Sequence, residues 1–72
     1  MFVMPLYEVR YRDGIEWEEI SENKLMIELY KIHKKVSPVI KEMIKGVEII
    51  TPEAIYRLKL QGANNRKSLY IN

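Results

Sequence analysis

The 72-residue sequence contains no cysteine. That excludes a disulfide framework and thiolate metal sites, so stability must come from packing or from a partner chain. There is one histidine, His33. A metal centre needs several ligands in fixed geometry, so His33 reads as a packing or surface residue, and neither metal nor cofactor is expected. The three glycines are scattered one per turn, so no glycine-rich loop is available to cradle a phosphate. Ser21, Ser37 and Ser68 have no histidine base arranged beside them by any motif, so no catalytic residue is assigned and the chain does not read as an enzyme. No apolar run approaches the roughly 20 residues of a membrane helix. The start, MFVMPLYEVRYRDG, lacks the charged beginning and long apolar stretch of a signal peptide. A cytoplasmic protein, away from the membrane, is the expectation.

Charge of one sign is also scarce, with a net of only +2. Its distribution says more. Residues 1–36 hold six basic and seven acidic side chains, whereas 37–72 hold six basic and three acidic. The excess lies after Thr51, where Arg57, Lys59, Arg66 and Lys67 face Glu53 alone. A basic C-terminal end permits contact with nucleic acid without demanding it. The 47% apolar fraction is ordinary for a globular chain, and the length allows one domain, 1–72.

The pattern predicts an α+β fold. Tyr7, Val9 and Tyr11 alternate with charged residues, as a half-buried strand requires. Asp13-Gly14 marks the turn of an N-terminal β-hairpin. A three-residue loop would set Val9 opposite Trp17, Tyr11 opposite Ile15 and Arg10 opposite Glu16, with Gly14 left-handed. A two-residue loop would set Val9 opposite Glu18. The first gathers the apolar residues on one face and is expected to win, with Trp17 and the tyrosines in the core. Ser21 caps a helix at about 22–36, where Leu25, Leu29, Ile32 and Val36 form a stripe widened by Met26, Ile27, Tyr30 and His33. Lys24, Glu28, Lys31, Lys34 and Lys35 take its wet side. Ser37-Pro38 opens a second helix at about 38–45, closed by Gly46.

The stretch ITPEAIYRLKLQGANNRK, 50–67, reads two ways. Thr51-Pro52-Glu53 is a helix start and Gly62 a stop, giving a third helix at about 52–61. A short C-terminal strand then closes the sheet beside the hairpin. Against this, Tyr56 to Gln61 alternates like a strand, giving ββα followed by a C-terminal hairpin, 55–61 with 68–71.

Read as helices, SPVIKEMIKGVEIITPEAIYRLKLQG, 37–62, resembles the helix-turn-helix segment of small phage and mobile-element DNA-binding proteins. Thr51, Ile55, Tyr56, Arg57, Leu58, Lys59 and Gly62 match its second helix, with Arg57 one residue early. The resemblance implies a small non-catalytic, regulatory protein that binds double-stranded DNA. Arg57, Lys59 and Gln61 would read from helix 52–61, with Asn64, Asn65, Arg66 and Lys67 in a polar loop on the backbone. The alternative is a protein-binding modulator or inhibitor of phage type. It would dock through the apolar strand end, Phe2 and Met4, and the acidic hairpin residues Glu16, Glu18 and Glu19. Either role is compatible with a homodimer.

Overall fold

The computed structural model describes residues 7–59 and 67–72. Seven elements follow in order: β1 (Tyr7–Tyr11), β2 (Glu18–Ile20), α1 (Glu22–Ile32), α2 (Val36–Ile44), β3 (Glu48–Ile50), β4 (Ala54–Leu58) and β5 (Ser68–Tyr70). They make an α+β fold, an N-terminal β-hairpin and two helices followed by three strands of a mixed five-stranded sheet. The strand order is β2-β1-β4-β3-β5. Both β1 and β3 run antiparallel to the central β4, while β5 runs parallel to β3.

Strand alternation sorts the sheet's side chains into two faces. Tyr7, Val9, Ile20, Ile49, Ala54 and Tyr56 are buried with Leu25 and Leu29 of α1 and Val36, Val39, Ile40 and Met43 of α2. The helices therefore cover one face. The other carries Glu8, Arg10, Glu19, Glu48, Ile55 and Arg57.

The helix boundaries have legible causes. Ser21 caps α1 as expected, its hydroxyl accepting from the Lys24 N–H at 3.2 Å. Gly46 ends α2 in the left-handed conformation, φ 101°. The Gly46 N–H donates to Met43 O and the Val47 N–H to Glu42 O, the paired bonds of a Schellman cap. Two boundaries differ from expectation. α1 stops at Ile32 rather than at about 36, and α2 begins at Val36, with Lys35 rather than Ser37 at its cap. Val36 is buried as the first residue of α2 and not as the last of the α1 stripe. Pro38 then sits third in α2, still within the first turn, where a missing N–H breaks no helical bond.

The hairpin takes the other register, with Val9 opposite Glu18 and Tyr7 opposite Ile20. The ladder stops there, and the chain from Arg12 to Trp17 is a loop in which the Gly14 N–H donates to Tyr11 O at 2.8 Å. Gly14 is not left-handed. The expected register overvalued the pairing of Ile15 and Trp17 with β1. Core contacts for Val9 and Tyr11 come instead from β4, where they face Tyr56 and Ala54.

The third helix, 52–61, is not formed, since Ala54–Leu58 is strand β4. Thr51 supplies the physical reason. Its Oγ1 accepts from the N–H groups of Ala54, at 3.0 Å, and Glu53, at 3.3 Å, as an N-cap would. It also donates to Ala54 O at 2.8 Å, while the Thr51 N–H reaches the same carbonyl at 2.9 Å. The capping hydroxyl thus closes a β-turn over Pro52 and Glu53. The alternative, a hairpin of 55–61 with 68–71, overlaps the observed strands Ala54–Leu58 and Ser68–Tyr70, with 60 and 61 outside the described residues, but pairs them wrongly. β3 lies between them, and β5 stands at the edge farthest from the N-terminal hairpin.

Candidate interaction surface

The open sheet face is organised around Arg57. Its cross-strand partner is Glu8, and Nε donates to Glu8 Oε1 at 2.9 Å. Its other side meets Glu48 Oε2 at 3.6 Å. The guanidinium carbon lies 3.6 Å from the centre of the Trp17 ring, a cation–π stack. Beside this group, Lys59 Nζ donates to Glu19 Oε2 at 2.7 Å. That hydrogen bond, followed by the charge of Glu19, raises the Lys59 pKa. The pairings have a structural reason. Glu8 and Glu19 stand directly opposite each other, and like charges so placed repel unless cations stand beside them.

The residues expected to read DNA are thus divided. Arg57 and Lys59 are held in ion pairs on a sheet rather than displayed by a helix. Lys67 is exposed, and its carbonyl accepts from the Glu48 N–H at 2.7 Å. Gln61, Asn64, Asn65 and Arg66 lie outside the described residues. For the alternative, Glu16 and Glu18 are exposed without an ion pair among the described residues, whereas Glu19 is paired. Glu18 and Glu19 point to opposite sheet faces, so the acidic residues do not form one face. Phe2 and Met4 are also outside the described residues. Trp17, expected in the core, lies half-buried on the open face.

On the helix side, Glu28 clasps α1 to the sheet. Both of its carboxylate oxygens accept at 2.8 Å, from the Tyr11 and Tyr56 hydroxyls. Burial, reinforced by this carboxylate, pushes Tyr11 up to about 12. The same two causes push Tyr56 up further. Both phenols therefore stay neutral donors at ordinary pH, a fastening rather than a nucleophile. Among the described residues no three His, Cys, Asp or Glu side chains are gathered to hold a metal ion. Nor is any described helix long and apolar enough to cross a membrane.

The surface that sequence reasoning missed is the outside of α1. Met26, Ile27 and Tyr30, expected to widen the buried stripe, are 41%, 60% and 59% exposed. With Val36 they line a groove of about 470 Å³ edged by Lys31 and Lys34. Neither lysine has an ion pair among the described residues. One signal was available. At about 100° per residue, Leu25 and Leu29 share a side of the helix that Ile27 cannot reach. The apolar set is too wide for one contact face.

No family model matches the chain, and comparison with curated proteins and with solved structures found no match. The functional reading therefore rests on the α+β domain and its surfaces.

Proposed function

We propose that this chain is a small, non-catalytic protein-binding module that modulates a partner through the outer face of α1. The carrying observation is the exposed Met26–Ile27–Tyr30 surface edged by Lys31 and Lys34, which have no ion pair among the described residues. Contiguous apolar surface on a small domain marks an interaction site. Exposed lysines around an apolar centre select an acidic partner and exclude basic ones. The chemistry that fits is a peptide segment with one or two large apolar side chains among Asp and Glu.

The reading-helix route to DNA loses its support, because Arg57 and Lys59 are engaged within the sheet. The test is a displayed peptide library selected on the wild-type chain and counter-selected on Ile27→Asp. Acidic peptides with apolar anchors, lost on the variant, are expected. Enrichment that does not distinguish the two proteins would overturn the reading. So would salt-dependent binding of a labelled random duplex that Ile27→Asp retains and excess peptide does not disturb, an outcome that restores nucleic acid as the partner.

A further inference from the structure

The chain itself carries a segment with the chemistry that the groove requires. The hairpin loop presents Ile15 between Asp13 and Glu16, with Glu18 at its base. Ile15 is 84% exposed, more than any other large apolar side chain among the described residues. It is held out by a constrained loop. The Gly14 N–H bond to Tyr11 O closes one side, and Trp17, stacked on Arg57, anchors the other. Asp13, Glu16 and Glu18 have no ion pair among the described residues.

We infer that the acidic loop of a second copy occupies the α1 groove, Ile15 against Met26, Ile27 and Tyr30, with its carboxylates facing Lys31 and Lys34. This rests on the protein-binding reading of the same groove. Within one copy the loop does not fill it, since both Ile15 and the groove side chains stay exposed. Loop and groove are nevertheless neighbours. Asp13 and Lys31 line one cleft, beside Tyr11 and Glu28. A two-fold axis through that side of the molecule sends each loop to the other copy's groove. Both contacts then form together, and the assembly closes as a dimer instead of growing into a chain. The loop is already fixed, so little ordering opposes the contact. An external acidic partner would have to displace the loop, which makes the dimer a self-capped form of the module.

Sedimentation equilibrium over a range of protein concentrations tests this. Wild type is expected to rise from one chain mass to two and then stop. Ile15→Asp and Lys31→Glu/Lys34→Glu are each expected to weaken the dimer by about tenfold or more. An equimolar mixture of the two variants should recover a heterodimer through its one intact contact. A wild-type mass that never exceeds one chain would overturn the proposal, as would a dimer indifferent to both variants. The selected peptide separates the two readings. If it binds a monomeric wild type, the self-capping idea fails and the module stands. If neither dimer nor peptide binding is found, both fail.

Discussion

The open sheet face and the outer face of α1 both carry basic and apolar side chains, yet they are built differently. On the sheet, two cations are held in place: Arg57 meets Glu8, Glu48 and Trp17, and Lys59 meets Glu19. At the α1 groove, Lys31 and Lys34 stand beside exposed Met26, Ile27 and Tyr30 with no such answer among the described residues. The first arrangement holds strands in register. The second leaves interaction capacity unused among the described residues. Basic residues, by type alone, do not distinguish a scaffold from a docking surface. Their partners do.

The sharpest way to break this contrast is Arg57→Ala. It leaves Glu8 and Glu48 half-buried without their cation and frees Trp17, so a loss of about 2–3 kcal/mol is expected. For a domain this small, that lowers the thermal midpoint by at least about 10 °C. Calorimetry and Trp17 fluorescence report it together. A midpoint that hardly moves would mean that the Arg57 contacts contribute little to holding the sheet.

The clasp between helix and sheet gives the intermediate effect. Glu28→Gln removes one of the two acceptors used by Tyr11 and Tyr56, at a cost of about 1–2 kcal/mol in urea unfolding. The clasp also sets an alkaline limit. Tyrosine ionises near pH 10 in an unfolded chain. The folded values are raised, so the stabilisation is fully present below about pH 10. It is lost as pH rises through the Tyr11 value of about 12. Unfolding followed by tyrosinate absorbance should therefore become easier between those limits.

The smallest effect sharpens the comparison from the other side. Ile27→Asp should change stability by no more than about 0.5 kcal/mol, because the side chain it replaces is already 60% exposed. The same urea series checks this. A large loss would assign Ile27 to packing and remove α1 as a docking face.

The sequence was most legible where one residue has one structural use. Ser21 as a cap and Gly46 as a left-handed stop were readable because few other residues satisfy those helix ends. Thr51 was ambiguous because its hydroxyl makes the same bonds at a helix start and in a tight turn. Strand β3 was missed because Glu48–Ile50 is too short to show a period. The groove was hidden for a different reason. Periodicity records which residues are apolar but not how much neighbouring surface exists to cover them, and of the apolar set on α1 Leu25 and Leu29 are the buried ones. The ion pairs of Arg57 were illegible because Glu8 and Glu48 reach it only after β4 has been inserted between β1 and β3.

That insertion has a consequence in time. Glu8 and Arg57, partners at the centre of the sheet, are 49 residues apart. The hairpin and both helices are synthesised before β4 exists, so β1 lacks its second strand neighbour until β4 is made. Closing so long a loop before any central contact is gained slows folding. β4 is the strand that joins the N-terminal hairpin to β3, and the sheet is continuous only once it is in place.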